Sequence, residues 1–236
     1  MTETEHTVKA YGQKLDDIFH RISRMGDLAT EQMLHSVTII REFDNQQAKQ
    51  IIATDEALDA MEKEVLEHIT SVLALHQPMA RDLRDIIAAL QISSALERVG
   101  DMAKNIAKRM MTTQEQALPQ DLLTPIAAMG EAVHGQLVKV MTAYSNRQTE
   151  LAEDVWNTDE EIDKMHNTVF NSILGAIKGE QDSVISSWVH LLFISKNIER
   201  VGDYATNIAE TITFMVGDEV PGNKRPKADV TSSISR

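Results

Sequence analysis

An internal repeat constrains the fold of this chain more than any other feature of its sequence. Residues 97–107 read ERVGDMAKNIA and residues 199–209 read ERVGDYATNIA, which are identical at nine of eleven positions. Upstream, residues 54–59 (TDEALD) are similar to residues 158–163 (TDEEID). Two motifs that recur in the same order at nearly the same separation indicate a duplicated structural unit. The fold must therefore hold two copies of one unit of about a hundred residues.

The spacing of apolar residues predicts that this unit is helical. Small and apolar residues recur every three or four positions over some thirty residues near the end of the chain, at Val184, Trp188, Leu191, Ser195, Ile198, Gly202, Ala205, Ile208, Ile212 and Met215. This is the period of a long helix, and such a helix needs equally long neighbours. Reading the breaks predicts six helices, at 5–42, 45–76, 79–111, 120–145, 148–177 and 181–216, with Pro78 opening the third. We therefore expect an all-α fold, a tandem duplication of an antiparallel three-helix bundle.

Polar segments mark the predicted boundaries. The segment 112–120 (TTQEQALPQ) is polar and contains Pro119, so it reads as the linker between the halves. After Gly217 the chain has few apolar residues to bury. We predict a first three-helix bundle at 1–115, a second at 116–217 and a flexible tail at 218–236.

Composition excludes several classes of function. The formal net charge of −13 repels nucleic acid and anionic lipid, so neither is an expected direct partner. There is no cysteine, which excludes disulfides, thiolate nucleophiles and sulfur-ligated metal sites. No signal peptide and no run of 18 apolar residues is present, which predicts a cytoplasmic protein. No serine lies in a nucleophile-elbow or phosphate-loop motif, and we expect no enzymatic activity.

Each half carries two pairs of acidic residues spaced four apart, which places both carboxylates of a pair on one face of a helix. The pairs are Asp55/Asp59 with Glu97/Asp101, and Asp159/Asp163 with Glu199/Asp203. Like charges one turn apart cost helix stability, and so do Gly100 and Gly202 inside the motifs. Because both halves keep these costs, we expect two neighbouring helices to present four carboxylates to a cation across a surface groove. Oxygen ligands suit Mg²⁺, Ca²⁺, Mn²⁺ or iron.

Two other interpretations stay open. The acidic pairs can belong to solvated helix faces of a purely structural module, with Arg98 and Arg200 as counter-ions. They can also serve a di-metal carboxylate enzyme that uses the same acidic clusters. Apart from these clusters, Glu131/His134 forms an E-x-x-H pair, and Asp17/His20 and Asp163/His166 form D-x-x-H pairs, which are similar to the ligands of ferritin-type di-iron sites. A ferritin-type site, however, needs two E-x-x-H pairs and two further Glu residues on four facing helices.

The motifs resemble those of a known family of bacterial phosphate-signalling regulators. ERVGDMAKNIAKR and ERVGDYATNIAE look like the E/D-x-x-x-D signature that PhoU proteins carry once in each half, and the 55/59 and 159/163 pairs look like its partner motif. Residues 76–90 (HQPMARDLRDIIAAL) also resemble the start of the family's third helix, and the likeness extends over residues 5–217. It implies multinuclear iron or zinc clusters on the bundle surface, with magnesium or manganese as alternatives.

The resemblance also implies a role and two partners. It predicts an adaptor between a phosphate ABC transporter and a sensor histidine kinase, which represses the phosphate-starvation response when phosphate is sufficient. The protein would reach the membrane only through these partners. The segment QPMARDLR has no clear copy in the second half, so we predict that Gln77, Arg81, Asp82 and Arg84 contact a partner once per chain. Exposed apolar shoulders on the two bundles favour a homodimer.

Overall fold

The fold consists of six long helices joined by short connections. A computed structural model of the protein describes residues 3–113, 118–177 and 182–217, and the side chains among them except those of 3–10, 182 and 183. The helices are α1 (Glu3–Glu42), α2 (Asn45–His76), α3 (Ala80–Met110), α4 (Gln120–Asn146), α5 (Thr149–Ala176) and α6 (Asp182–Val216). The described residues contain no strand, and the predicted helix ends are confirmed to within two residues. The predicted tail, 218–236, lies outside the described residues.

The connections explain where the helices begin and end. The side chain of Asp44 caps α2 by accepting hydrogen bonds from the backbone N–H groups of Gln46 and Gln47. Gln77 ends α2 in the left-handed conformation, with φ of 47°. The prediction that Pro78 opens α3 was wrong, because Met79 is still extended and the helix begins only at Ala80. The fixed φ of Pro78 therefore serves the connection rather than the first helical turn.

The helices pack as two three-helix bundles side by side. Helices α1, α2 and α3 contact one another, while α5 packs against both α4 and α6, which also contact each other. The bundles meet where α1 packs on α4 and α3 packs on α6. The duplicated antiparallel bundle predicted from the repeat is confirmed, with α2 and α5 on opposite outer sides of a central set of four helices.

The contact between α1 and α4 repeats itself. A Cβ atom placed on Gly26 would overlap the side chain of Met141, and one placed on Gly130 would overlap Val37. Gly26 and Gly130 are separated by 104 residues, and so are Val37 and Met141. The two bundles are thus related by an approximate two-fold axis, as the subunits of an isologous dimer would be.

The core follows the predicted apolar stripe. Along α6, nine of the ten predicted positions are buried, and Val184 is half-buried. None of the six helices, over the described residues, is both long and apolar enough to span a lipid bilayer.

Candidate functional site

The first acidic cluster lies between α2 and α3, where a glycine lets the helices approach closely. A Cβ atom on Gly100 would overlap Leu58 and lie 3.6 Å from Oδ1 of Asp55. Asp55 is buried, with 5% of its surface exposed, whereas Asp59 one turn further along α2 is exposed. The glycine expected to permit a close approach therefore does so, and it brings a buried carboxylate against the ERVGD motif.

Basic side chains neutralise part of this cluster. The ammonium group of Lys104 binds Oδ1 of Asp101 at 2.7 Å and also binds Oδ2 of Asp55, so it joins α3 to α2. Arg98 lies 3.1 Å from Asp101 and 3.2 Å from Glu97. The counter-ion role considered for Arg98 is thus present in the structure. Lys104 has the same role, and the sequence pattern did not single it out.

The electrostatics of Glu97 identify a further member of the cluster. Burial raises the pKa of Glu97 above its ordinary value, the negative charge of Asp101 raises it further, and Arg98 partly offsets both. Glu62 and Asp59 on α2 add smaller effects in the same direction as Asp101. Glu62 therefore lies close enough to Glu97 to raise its pKa, although the sequence pattern did not single it out. The sequence could have indicated Glu62, because it follows Asp59 by three residues and so lies on the same face of α2.

The second cluster lies between α5 and α6 and is more deeply buried. Asp159, Asp163 and Glu199 have 2%, 3% and 5% of their surfaces exposed, and Asp203 is half-buried. A Cβ atom on Gly202 would lie 3.7 Å from Oδ1 of Asp159, which repeats the relation between Gly100 and the first cluster. The sequence led us to expect these carboxylates in a surface groove, but three of the four are buried.

Different side chains complete the second cluster. The hydroxyl group of Thr206 lies 3.1 Å from Oδ1 of Asp159 and 3.0 Å from the backbone oxygen of Gly202, and these two acceptors share its one hydrogen. At the rim of the cluster, the ammonium group of Lys196 lies 2.8 Å from Oε1 of Glu199. His166, with 1% of its surface exposed, lies on α5 three residues after Asp163. Its position is equivalent to that of Glu62 in the first half.

The donor set of both clusters fits a hard or borderline cation chemically, because carboxylates of two facing helices meet beside a glycine. Within the described residues, however, no three His, Asp or Glu side chains converge in an arrangement that could hold a metal ion. Metal binding at the eight predicted residues therefore requires side-chain rotation, and it stays a prediction.

Comparison with known proteins identifies the family. The family model of the PhoU domain matches residues 22–110 and 126–212. The chain belongs to the PhoU family. Each match contains one ERVGD motif, so the two clusters described above lie in equivalent places of the two PhoU repeats.

Relatives and solved structures agree with this assignment to the PhoU family. The chain is 42% identical to a phosphate-specific transport system accessory protein PhoU homolog of Caulobacter vibrioides, over 97% of this chain and 99% of that protein. It is 38% identical to a homolog of the same name from Rhizobium meliloti, over 97% and 96% of the two chains.

Two PhoU crystal structures share the fold. PhoU from Pseudomonas aeruginosa superposes with a TM-score of 0.83 at 27% identity, covering 87% of this chain and 98% of that one. The phosphate transport system regulatory protein PhoU from Streptococcus pneumoniae gives 0.82 at 25% identity, covering 90% and 99%. The two PhoU repeats and their six helices therefore pack as in solved members of the family.

The four predicted partner-binding residues of this PhoU-family chain do not form one exposed surface. Gln77, at the end of α2, and Arg81, in the first turn of α3, are exposed. Asp82 accepts a hydrogen bond of 2.8 Å from the hydroxyl group of Tyr11, and Arg84 is half-buried beside Gly217. Arg81 and Asp82 also line a cavity of about 400 Å³ between α1, α3, α4 and α6. Only part of the segment is thus available to a partner in this arrangement, and the partner role stays a prediction.

Two of the ferritin-like pairs considered above have other contacts. Glu131 of the E-x-x-H pair forms an ion pair of 2.5 Å with Arg41. Asp17 binds Arg21 at 2.9 Å and lies 3.3 Å from His68. These contacts tie α1 to α4 and to α2, so they favour a structural role for the two carboxylates over metal ligation.

Proposed function

We propose that this chain is a non-enzymatic, metal-binding regulatory adaptor of phosphate homeostasis. It links a phosphate ABC transporter to a sensor histidine kinase and represses the phosphate-starvation response when phosphate is sufficient. The observation that carries the proposal is the 42% identity to the Caulobacter vibrioides accessory protein, which extends over nearly the full length of both chains.

The architecture supports the role of an adaptor. Six helices in one tightly packed assembly present several long, rigid faces, and surfaces of this kind suit contact with more than one protein. The acidic net charge of −13 suits protein partners rather than nucleic acid. In this role the protein acts at the cytoplasmic side of the membrane, and it reaches the membrane by binding the transporter and the kinase.

The duplicated clusters support metal binding. Burying a carboxylate is costly unless a positive charge or hydrogen bonds compensate for it, and a bound cation supplies both charge and coordination. The proposed ligands are Asp55, Asp59, Glu97, Asp101, Asp159, Asp163, Glu199 and Asp203. Iron or zinc is the proposed metal, with magnesium or manganese as alternatives, and it would neutralise the carboxylates when bound.

Exposed apolar side chains support self-association. Leu75 and Met79, at the connection between α2 and α3, have 67% and 80% of their surfaces exposed. Burial of such side chains against a second copy is favourable. We propose a homodimer, which light scattering coupled to size-exclusion chromatography tests directly.

The regulatory role is tested in cells. Deletion of the gene should switch on a phosphate-starvation reporter in phosphate-rich medium, and the wild-type gene should restore repression. A tagged copy should capture the transporter and the kinase from the same cells. Repression that persists in the deletion strain, with neither partner captured, would contradict the proposed role.

The metal is tested on purified protein. Elemental analysis after purification without chelator should find metal in the wild-type chain. The combined variant E97Q/D101N/E199Q/D203N should lose it, because an amide is a weaker ligand than a carboxylate. Unchanged metal content in a folded variant would rule out these four ligands. The reporter assay on the same variant shows whether the adaptor role depends on metal.

A further inference from the structure

A cavity of about 400 Å³ lies where the two PhoU repeats meet, and the proposed adaptor role does not use it. Its wall contains side chains of α1, α3 and α6 and of the end of α4, and these are apolar except for a few charged groups and one hydroxyl group. Small-molecule sites in proteins have volumes of about 300–1,000 Å³ and walls of this composition. A molecule bound here would contact both repeats at once.

The duplication shows that the fold itself does not require a cavity at this place. Helices α3 and α6 correspond to each other with an offset of 102 residues, so Ile86 of the wall corresponds to Trp188, and Ala89 corresponds to Leu191. Trp188 and Leu191 are buried. The same architecture thus accommodates larger apolar side chains at the equivalent positions of the second repeat, and the small side chains around the cavity are specific to the first.

Tyr144 places a hydroxyl group without a partner in the wall of the cavity. Only 2% of the surface of Tyr144 is exposed, and its hydroxyl group forms no hydrogen bond with any residue that the structure describes. Burial raises the pKa of Tyr144 above its ordinary value, with Arg147 opposing and Asp85 adding to this effect, so the group keeps its proton at neutral pH. A buried polar group without a hydrogen bond is costly, and a bound molecule would supply the missing partner.

Two charged groups at the solvent side of the cavity also lack partners, and their signs are opposite. Deeper in the wall, Asp85 is neutralised by the two hydrogen bonds from Arg147. Asp16 on α1 and Arg81 on α3 are exposed, and neither forms an ion pair with the described side chains. The cavity therefore presents one free carboxylate and one free guanidinium group to a ligand.

This charge pattern selects one class of ligand. The wall has three carboxylates and two guanidinium groups, so a phosphate ion or a nucleotide would meet a net negative charge. A simple cation would leave the positive charge of Arg81 without a partner. A zwitterion satisfies both signs, because its carboxylate pairs with Arg81 and its ammonium group pairs with Asp16. The apolar part of the wall, which includes Ile86 and Met215, suits an apolar body on the same molecule.

We propose that this cavity binds a small zwitterion with an apolar side chain, of the class of the apolar α-amino acids. The carboxylate of the ligand accepts hydrogen bonds from Arg81 and Tyr144, its ammonium group pairs with Asp16, and its side chain packs against the apolar wall. Because the ligand touches helices of both repeats, its binding holds them together. This inference goes beyond the proposed adaptor role and does not depend on it.

Calorimetric titration of the full-length chain tests the class of ligand. The probes are L-leucine, L-methionine and L-phenylalanine, and the comparisons are glycine and inorganic phosphate. At least one of the apolar amino acids should bind, glycine should bind at least tenfold more weakly because it has no side chain to bury, and phosphate should not bind. The bound amino acid should also raise the midpoint of thermal unfolding, since it binds the folded state.

Analogues of the best-binding amino acid test its two charges separately. The amide lacks the carboxylate and the N-acetyl derivative lacks the ammonium group, so each should bind at least tenfold more weakly than the parent amino acid. R81Q should weaken binding of the parent about two- to fivefold, because an exposed charge pair is lost. The same variant should leave the affinity for the amide unchanged, because the amide has no carboxylate for Arg81 to bind.

Variants in the wall test the location of the ligand. Y144F removes only the hydroxyl group and should weaken binding about two- to tenfold, whereas Y204F, at a half-buried tyrosine on α6 outside this cavity, should leave it unchanged. I86W places the tryptophan of the second repeat in the cavity and should abolish binding. Circular dichroism shows whether I86W folds, and the comparison of Y144F with Y204F tests the location if it does not.

Three results would overturn the inference. The first is a folded wild-type chain that binds none of the three apolar amino acids. The second is binding of phosphate more tightly than of any amino acid, which would make the cavity an anion site. The third is amino-acid binding that Y144F leaves unchanged, because the ligand would then lie elsewhere. The proposed adaptor role is judged separately, by the reporter assay.

Discussion

The guanidinium group of Arg147 binds both carboxylate oxygens of Asp85, at 2.9 Å and 2.6 Å. Arg147 follows the last turn of α4 in the left-handed conformation, with φ of 53°, and Asp85 lies near the start of α3. The hydrogen bonds of Asp85 hold the pKa of Arg147 above its ordinary value. This pair joins the two PhoU repeats at one end of the interface between them.

We expect the variant R147M to be destabilised by about 1.5–3 kcal/mol, the usual contribution of hydrogen bonds to a charged group. Methionine keeps much of the length of the side chain but leaves the half-buried carboxylate of Asp85 without this partner. The free energy of unfolding is measured by urea denaturation at neutral pH.

The pair Lys139–Asp154 provides the control for this prediction. It joins α4 to α5 within one repeat, and its side chains are 39% and 51% exposed. Exposed ion pairs contribute little, so K139M should change the free energy of unfolding by less than about 1 kcal/mol. Equal losses in R147M and K139M would contradict the role assigned to the Arg147–Asp85 pair.

The two motif glycines should respond differently to alanine. A Cβ on Gly100 would overlap the buried side chain of Leu58, whereas one on Gly202 would meet Ile162 and Gln136 at 3.5 Å, an ordinary contact distance. Replacing glycine by alanine in a helix gains about 1 kcal/mol, and overpacking a core costs about 1–3 kcal/mol. We therefore expect G202A to have a higher free energy of unfolding than the wild-type chain. We expect the free energy of unfolding of G100A to be lower than that of G202A.

Thermal denaturation of the two alanine variants measures this difference without reference to metal, provided that chelator is present throughout. G100A as stable as G202A would show that Leu58 rotates away at no cost. The close approach at the first cluster would then not depend on glycine.

Tyr11 provides a prediction for alkaline pH. Burial, the hydrogen bond to Asp82 and the negative charges of Asp82 and Asp85 together raise the pKa of Tyr11 from 10.0 to about 12, with burial as the largest cause. The folded state thus holds the phenol proton more tightly than the unfolded state. The stability that Tyr11 contributes is therefore present below pH 10 and is lost as the pH rises from about 10 to about 12.

The phenolate absorbance of wild-type protein minus that of Y11F should give a midpoint near pH 12 for Tyr11. The variant D82N should lower this midpoint, because the acceptor charge is removed. A midpoint at the ordinary value in wild-type protein would show that Tyr11 does not donate to Asp82 in solution.

The fold was largely predictable because the repeat and the helical period are properties of the sequence itself. The stripe from Trp188 to Met215 on α6 is buried as predicted. The start of α3 was not predictable from Pro78, because the left-handed Gln77 and the extended Met79 delay the helix. The contact of α1 with α4 at Gly26 and Gly130 depends on how the bundles meet, which no local pattern specifies.

The candidate site was predictable only in part. The acidic pairs indicated which helices meet, and the glycines indicated a close approach. The two repeated motifs differ at only two positions, and the replacement of Lys104 by Thr206 is one of these differences. Nothing else in the sequence drew attention to these two residues. Their effect depends on the distance across two helices to Asp55 and Asp159, and helical spacing along a single helix does not report that distance.

The ion pair of Asp55 with Lys104 should contribute to stability in the absence of metal. In chelated protein, D55N replaces the buried carboxylate of Asp55 by an amide, so the charge pair across α2 and α3 is lost. Asp59 lies one turn further along α2 and is exposed, so D59N provides the control. We expect D55N to lower the free energy of unfolding by about 1–3 kcal/mol and D59N to change it by less than about 0.5 kcal/mol. Urea denaturation with chelator measures both variants, and equal losses would mean that the contact between Lys104 and Asp55 does not stabilise the fold.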